Sequence, residues 1–547
     1  MFRDGYIIKN FDHQGKQRER QRFLNPVLPG FYPDPSICRA GEDYYLVCSS
    51  FCYFPGLPIF HSRDLVHWNQ IGYGITRKEQ IDLSGLQHYE GLYAATIRFF
   101  EGTFYIVNTR VSNGIEGAQS CRNNFIITAQ NPEGPWSDPI WIEGADGIDP
   151  SLYFEDGSLW YIGNYENPKG IYAGGGHTGI YLQQLDPETY QFAGERHILW
   201  DGEKTYSRAL EAPHIYKHAD HYYLMAAEGG TSLYHSIVMA RSRTLEGPYE
   251  PCPRNPVVSH RGFSPVHEIT CTGHGDLIRT QNDEWWMVLL GVRPYRGANY
   301  NLGRETFLVP VCWEEDGWLR IDNETASVRT TERFPELEEK LFFSDKAADT
   351  FESESLSLEW NMLRQECTDF YTVMPEERKL RLYLQPAGLM ECTTPSFLGK
   401  RQRHFRFQAG TCMEFSGQEW EEAGMALVQS NEHFITFTCR DAGAKNILSL
   451  KITADREERT AEEILIDTTI ENKVYLWVIG TEKGYYFAWG TEEKKRNVLS
   501  TTIEPEILST QRADGFTGAF VGIYATSNGR ASENHADYLW FSYQEIL

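Results

Sequence analysis

The sequence lacks several features that define whole classes of protein. No apolar run approaches the roughly 20 residues that a membrane-spanning helix needs. Residues 1–22 are polar and contain no apolar core of the kind found in secretory signals. The eleven cysteines are scattered from Cys38 to Cys439 without a Cys-x-x-Cys pair, which is typical of buried thiols and not of a zinc site or disulfide framework. We therefore expect a soluble protein in the reducing environment of the cytoplasm.

Positive charge is also scarce. The chain has 51 lysines and arginines against 76 aspartates and glutamates, a formal net charge of -25. A surface of this sign repels nucleic acid and anionic membranes, so neither is expected as a partner. The charge predicts a small neutral ligand, and association of the chain with copies of itself stays open.

A repeated aromatic pair is the most regular feature of the first half. In each copy, a turn-prone or polar stretch leads into two aromatic residues and then aliphatic ones. The second aromatics lie 60, 56, 62 and 63 residues apart, at Tyr45, Tyr105, Tyr161, Tyr223 and Trp286. Such an interval suits four short strands with their loops, so the pattern predicts a five-bladed β-propeller. We interpret the aromatic pairs as core and not as sugar-stacking rings.

The second half has a different texture. A charged segment, residues 332–346, is the predicted linker, and short strand-like runs such as residues 380–384 alternate with a period of two beyond it. A chain of 547 residues is also too long for one hydrophobic core. We predict an all-β protein with a propeller in residues 1–335 and a β-sandwich in residues 347–547.

Polar residues occupy matching places in the propeller repeats. Counting back about twelve residues from the second aromatic of each repeat reaches Asp34, the Tyr93-Ala94 pair, Asp149, Glu211 and His274. If these places are the starts of inner strands, three acids and a histidine converge on one axis. A single aspartate before proline is usually a turn residue or a strand cap. Three acids in equivalent places favour function, because facing like charges destabilise a fold unless they are protonated, screened or used.

Paired carboxyl groups across a pocket suit the cleavage of a glycosidic bond. One group protonates the leaving oxygen, the other handles the attacking water, and a third acid can raise the pKa of the donor. The spacing alone assigns none of these roles and does not identify the sugar. His274 could ligate a metal, bind substrate or fill the axis, and Arg304 could reach the pocket or pair with Glu305.

The chain resembles glycoside hydrolase family 43, in the branch of β-xylosidases and α-L-arabinofuranosidases with an additional C-terminal sandwich domain. Seven motifs of the first half carry this resemblance: residues 32–36 (YPDPS), 49–51 with 54–56 (SSF, FPG), 149–151 (DPS), 211–214 (EAPH), 228–231 (EGGT), 273–275 (GHG) and 303–305 (GRE). Residues 396–402 and 517–522 resemble the appended domain. The resemblance covers nearly the whole chain after about Phe23.

The resemblance implies a five-bladed propeller, a concanavalin-like sandwich and an inverting mechanism. By position, Asp34 matches the general base, Glu211 the general acid and Asp149 the residue that orients the acid and modulates its pKa. The positions that match substrate contacts are Phe51, Thr231, His274, Arg304 and, from the sandwich, an aromatic between Phe516 and Phe520, with Phe520 our choice. No cofactor is implied as a requirement, although the matching histidine in related proteins touches substrate or a water-bound ion such as calcium.

One departure affects the choice of sugar. Where many relatives carry Trp-Ala-Pro on the second blade, this chain has Tyr93-Ala94-Ala95, and the smaller ring changes how a sugar is seated. We predict an exo-acting glycosidase that releases terminal xylose or arabinofuranose from short oligosaccharides, with β-xylosidase favoured. The alternatives are α-L-arabinofuranosidase as the main activity, a non-catalytic carbohydrate-binding protein, or transfer of sugar from a phosphorylated donor.

Overall fold

The computed structural model describes residues 8–11, 17–113, 121–167, 178–201, 208–342, 348–364, 370–443, 445–467 and 473–546. Strands dominate these ranges, and helix is represented by single turns such as Thr510–Ala513, Pro375–Glu377 and Pro505–Leu508. Within the described ranges, no helical segment combines the length and the hydrophobicity of a membrane span. The architecture is the predicted one, a five-bladed propeller followed by a β-sandwich.

Each blade is an antiparallel sheet of four strands numbered from the axis outward. Blade 1 contains Ser36–Ala40, Asp43–Val47, Gly56–Ser62 and Asn69–Ile75, and blade 2 contains Gly91–Phe100, Thr103–Ser112, Cys121–Ala129 and Ile140–Trp141. Blade 3 contains Ser151–Glu155, Ser158–Glu166, Thr178–Leu185 and Phe192–Trp200. Blade 4 contains Glu211–His218, His221–Glu228, Ser236–Ser242 and Glu250–Pro251, with Val258–Ser259 also paired to its third strand. Blade 5 contains Thr270–Arg279, Trp285–Val292, Glu305–Trp313 and Leu319–Ile321.

The aromatic pairs lie in the second strands of the blades. One ring of each pair is at most 4% exposed: Tyr44, Phe104, Tyr161, Tyr223 and Trp286. Successive side chains of a strand point to opposite faces of a sheet, and both faces of a propeller blade are covered by its neighbours. The core interpretation therefore holds for these five rings, while the other ring of each pair is partly exposed.

The N-terminal segment completes the ring of blades. Arg22–Leu24 pairs antiparallel with Thr331–Arg333, and the buried Asn25 side chain bonds both backbone groups of Leu308 at 2.9 Å. An additional hairpin, Ile8–Phe11 with Gln17–Arg20, precedes this closure. Because the closure fixes the chain immediately before residues 32–36, it positions Asp34 beside blade 5.

The sandwich consists of two antiparallel sheets. The larger sheet contains Ala348–Asp349, Tyr371–Met374, Lys379–Tyr383, Phe407–Phe415, Lys473–Thr481, Gly484–Glu492, Lys495–Ile503 and His535–Glu545. The smaller sheet contains Ser396–Arg401, Glu422–Val428, Phe434–Asp441, Lys445–Ala454, Glu457–Asp467 and Phe520–Thr526. Apolar side chains of both sheets form a core that is continuous with part of the propeller core.

The sandwich docks on the propeller through several specific contacts. Met362–Leu363 pairs with Tyr53–Phe54 of blade 1. The fully buried Arg364 donates to the backbone oxygens of Leu86 and Thr393 at 2.9 and 2.8 Å. Gly518 lies so close to blade 5 that a Cβ atom there would lie 2.6 Å from the Leu302 oxygen. The sandwich thus covers the edges of blades 1, 2 and 5 at one end of the propeller.

Candidate active site

Two of the predicted acids sit in copies of the same turn. Asp34 and Asp149 both have φ 54°, and each is followed by a proline and then by the serine that begins an inner strand. A left-handed backbone at a residue other than glycine costs on the order of 1–3 kcal/mol, so the surrounding structure must hold it. Ser36 and Ser151 do so by donating to Asp276 Oδ2 at 2.7 Å and to the Pro213 oxygen at 2.5 Å.

Asp34 is held by three neighbours. Arg304 donates from Nη1 to Oδ1 at 2.9 Å and from Nη2 to Oδ2 at 3.1 Å, and the Ser49 hydroxyl donates to Oδ2 at 2.5 Å. His274 Nδ1 lies 3.6 Å from Oδ1. Asp34 is only 3% exposed, so its charge is balanced by the guanidinium and not by water. These contacts agree with the interpretation of Arg304 as a pocket residue. Its neighbour Glu305 pairs with Arg293 instead, at 2.7 Å.

Glu211 and Asp149 have the opposite electrostatic character. Burial, followed by the charge of Asp34, raises the pKa of Glu211 to about 7. Burial, then the charges of Glu211 and Asp34, raises the pKa of Asp149 well above its usual value, although the Ala94 backbone N–H bonds to it. A carboxyl group with a raised pKa carries its proton near neutral pH. The three acids thus divide into one ion-paired acceptor and two proton carriers.

The carboxylates near His274 are already paired and offer few free protein ligands for a calcium ion. Burial lowers the pKa of His274, and its nearest carboxylate, Asp34, is already paired with Arg304. The next carboxylate, Asp276, is paired with Arg98 at 2.8 Å. Calcium prefers six to eight oxygen ligands. In the part of the chain that the structure describes, no group of three or more His, Cys, Asp or Glu side chains is placed to hold a metal.

Aromatic rings line the pocket next to Arg304. Its guanidinium lies 5.7 Å from the Phe51 ring centre and 5.6 Å from that of Phe516, and Tyr93 lies 5.2 Å from Phe51. Phe516 belongs to the sandwich, so this domain completes the wall of the pocket. Rings and a guanidinium in this arrangement suit a neutral sugar, because aromatic faces bury its C–H groups.

The structure corrects the choice of Phe520. Its ring stacks on Tyr53 at 3.9 Å and packs against Phe31 at 6.3 Å, behind the wall that Phe51 forms. Phe516 is the aromatic of this segment that faces Arg304. Phe516 lies in the turn-prone stretch 513–518 and Phe520 begins an apolar run, but only the docking of the two domains shows which ring reaches Arg304. Thr231 lies on the loop after Glu228, with a partly exposed side chain.

A buried network below the acids was missed in the sequence. Asp276 accepts hydrogen bonds from Arg98 Nη1 at 2.8 Å and from the Tyr216 hydroxyl at 2.6 Å, and Arg98 Nη2 lies 2.8 Å from His214 Nδ1. Burial lowers the pKa of His214 to about 3, so this histidine is neutral. The network joins blades 2, 4 and 5 under the pocket. The sequence contained one signal for it, since Asp276 lies two residues after His274 and His214 three residues after Glu211, so each belongs to the same inner strand as a candidate site residue.

The geometry is that of an acid–base pair with a positioned third acid. An ion-paired carboxylate can accept a proton from water, and a carboxyl group of pKa about 7 can protonate a leaving oxygen. This combination supports hydrolysis of an acetal linkage in a neutral molecule.

Comparisons with known families agree with this chemistry. A model described as glycosyl hydrolases family 43 matches residues 23–319. A second model, described as the beta xylosidase C-terminal concanavalin A-like domain, matches residues 348–544.

Individual relatives match over their full length. A non-reducing end alpha-L-arabinofuranosidase of Bacteroides ovatus is 36% identical over 534 residues, covering 96% of this chain and 95% of the relative. A xylosidase/arabinosidase of Butyrivibrio fibrisolvens is 37% identical, covering 95% and 99%. A crystal structure of a xylan beta-1,4-xylosidase from Bacillus halodurans superimposes with a TM-score of 0.89 at 32% identity, covering 96% of this chain and all of that one.

Proposed function

The chain belongs to glycosyl hydrolase family 43, and we propose that it releases single terminal pentoses, chiefly β-xylose, from the non-reducing end of short oligosaccharides with inversion at the anomeric carbon. The observation that carries the proposal is the contrast between two acids in one pocket. Asp34 is ion-paired with Arg304, whereas the pKa of Glu211 is raised to about 7. These are the states that a general base and a general acid need near neutral pH.

The reaction assigns one role to each acid. Asp34 takes a proton from a water molecule as the water oxygen attacks the anomeric carbon. Glu211 gives its proton to the departing glycosidic oxygen as the carbon–oxygen bond breaks. Asp149 shares the buried environment of Glu211. Its own raised pKa keeps Asp149 protonated and neutral, and in this state it offers a hydrogen-bonding group that orients Glu211. Proton exchange with solvent then restores both groups.

Two further features support action on a terminal sugar. Phe516 of the sandwich packs against Phe51 of the propeller at a ring-centre distance of 6.2 Å, so the wall of the pocket is closed by residues of both domains. Arg304 Nε is buried and has no hydrogen-bond partner among the described residues, which leaves a donor for a substrate hydroxyl. A closed pocket with such a donor accepts a chain end more readily than the middle of a polymer.

α-L-Arabinofuranose is the second candidate for the released sugar. The relative from Bacteroides ovatus is named for this activity, and its identity of 36% over nearly the whole chain supports a related pocket here. Tyr93 contacts both Phe51 and Phe516, at ring-centre distances of 5.2 and 6.5 Å, and the size of its ring therefore affects which pentose fits.

The decisive experiment compares aryl β-xylosides with aryl α-L-arabinofuranosides and records the stereochemistry by proton NMR. The proposal expects turnover of the xyloside, release of reducing sugar from xylobiose, and α-xylose as the first anomer formed. Faster turnover of the arabinofuranoside would select the second candidate. First appearance of β-xylose would contradict inversion, dependence on phosphate would indicate group transfer, and binding without turnover would indicate a carbohydrate-binding protein.

A further inference from the structure

Two neighbouring loops of blades 4 and 5 expose a group of large apolar side chains. Residues 229–235 carry Leu233 and Tyr234, which are 39% and 69% exposed. Residues 260–269 carry Phe263 and Val266, which are 43% and 62% exposed. We name these four side chains the rim patch. Scattered apolar residues are normal on a surface, but several exposed on neighbouring loops beside a pocket are typical of a binding site.

Strand pairing shows that the two loops are adjacent. Ser236 pairs with Ser259 and Ile237 with Val258, so the loops leave the same end of blade 4 side by side. Arg261 of the second loop also lies 3.4 Å from Glu228 at the start of the first. The rim patch is therefore a surface built from both loops.

The same register places the rim patch at the pocket end of the propeller. Glu211 pairs with Ala227, one residue before Glu228, where the first loop begins. The first loop also supports the pocket, because its His235 packs against the inner strand that carries His274. A Cβ atom on Gly273 would lie 2.4 Å from the His235 ring. Tyr234 is therefore the direct sequence neighbour of His235, which supports His274.

The remaining geometry indicates which part of a substrate meets this surface. Phe516, Phe51 and Arg304 enclose the sugar that is released, on the side that the sandwich covers. The leaving oxygen must lie next to the carboxyl of Glu211, which begins the inner strand of blade 4. The rest of the substrate therefore leaves the pocket over the rim of that blade.

We propose that Tyr234 and Phe263 form a platform that binds the leaving-group sugars of a short, neutral chain of xylopyranose units. This inference rests on the proposed function and adds a substrate preference. Because the platform binds additional sugars, the enzyme prefers chains of three or more sugars to a disaccharide. Exposed aromatic faces bury the C–H faces of pyranose rings, while Glu228 and Arg261 offer hydrogen-bonding groups at the edge. A neutral chain also suits a protein with a net charge of -25.

The test measures kcat/KM for xylobiose, xylotriose and xylotetraose, and for the β-xylosyl fluoride, whose leaving group touches no platform. The variants are Tyr234→Ala and Phe263→Ala, with Tyr234→Phe retaining the ring and Leu465→Ala, at a residue 63% exposed on the sandwich, as the matched surface control. We expect the wild type to favour longer chains and each alanine variant to lose about 3- to 10-fold on the tetraose. Activity of every variant on the fluoride should stay unchanged. Tyr234→Phe and Leu465→Ala should keep wild-type activity on the tetraose as well.

Calorimetry on the Asp34→Asn variant measures the binding of xylotetraose without turnover, and it therefore tests the platform separately from catalysis. Weaker binding on addition of Tyr234→Ala supports it even if the wild type hydrolyses no xyloside, in which case only the proposed function fails. Equal losses on fluoride and tetraose, or no loss on either, would overturn the platform. So would conversion of an oligomer to monomers by Tyr234→Ala in sedimentation, because a second copy of the chain would then occupy the patch.

Discussion

Arg304 forms a bidentate ion pair with Asp34, with nitrogen–oxygen distances of 2.9 and 3.1 Å. The same guanidinium lies 5.6 Å from the ring of Phe516, a residue of the other domain. One side chain therefore holds the proposed base and also contacts the wall contributed by the sandwich. The activity of the propeller should depend on this ion pair and on the docking of the sandwich.

Removal of the positive charge should impair the proposed base. In Arg304→Gln, Asp34 loses the guanidinium that contacts both of its oxygens and balances its charge. The fall in kcat/KM on xylobiose should therefore be larger than in Arg304→Lys, which keeps the charge but not the bidentate geometry. Steady-state kinetics measures both losses, and wild-type activity in both variants would show that the base does not need the ion pair.

The alkaline limb should report Glu211. Its raised pKa of about 7 means that the group is protonated below this pH and loses its proton above it. Because the proposed acid works only when protonated, kcat/KM on xylobiose should fall as the pH rises through about 7. Glu211→Gln, which cannot lose a proton there, should show low activity without this limb. Persistence of the limb in Glu211→Gln would assign it to another group.

The leaving group should separate the two catalytic acids. An aryl group of low pKa hardly needs protonation, so Glu211→Ala should keep much of its activity on such a substrate and lose about 10²–10⁴-fold on xylobiose. Asp34→Ala should lose activity on both, because water still needs a base. Steady-state kinetics on the two substrates checks this, and equal losses for both variants on both would refute the assignment.

Docking of the sandwich should be sensitive to one added methyl group. In Gly518→Ala the new Cβ would lie 2.6 Å from the backbone oxygen of Leu302, where no flexible side chain can yield. We expect a loss of about 1–3 kcal/mol in stability and a fall in kcat/KM, because Phe516 lies two residues away. Thermal unfolding and xylobiose kinetics measure both effects.

Gly262→Ala is the control for the added methyl group, since no heavy atom lies within 4 Å of its Cβ position. Its stability should equal that of the wild type. If Gly518→Ala also matched the wild type, the close approach of the two domains would not determine the pocket.

Much of the fold could be predicted because its signals are local and repeated. Tyr44, Phe104 and their counterparts mark second strands, since a strand buried on both faces between blades needs large rings at a fixed place. The linker region and the period-two runs beyond it likewise predicted a second β domain. The equivalent positions of Asp34, Asp149 and Glu211 followed from the same interval, because equivalent positions in a rotational repeat meet at the axis.

Contacts between distant segments could not be predicted in this way. The place of Asp276 two residues after His274 indicates an inner strand, but the sequence does not indicate that Asp276 pairs with Arg98 at 2.8 Å under the pocket. Phe516 and Phe520 are equally apolar in sequence, and only the pairing of the sandwich with blades 1 and 5 turns one toward Arg304 and the other toward Tyr53.

The sequence by itself determined the propeller repeat, the order of the domains and the three acids on the axis, because each depends on spacing along the chain. Only the tertiary structure decided the protonation of Glu211 and Asp149 and the residues that enclose the sugar. The pKa of Glu211 depends on burial and on Asp34, and the charge of Asp34 is balanced by Arg304, a residue 270 positions away in the chain. Electrostatic energies follow distance in space and exclusion of water, which a linear sequence does not contain.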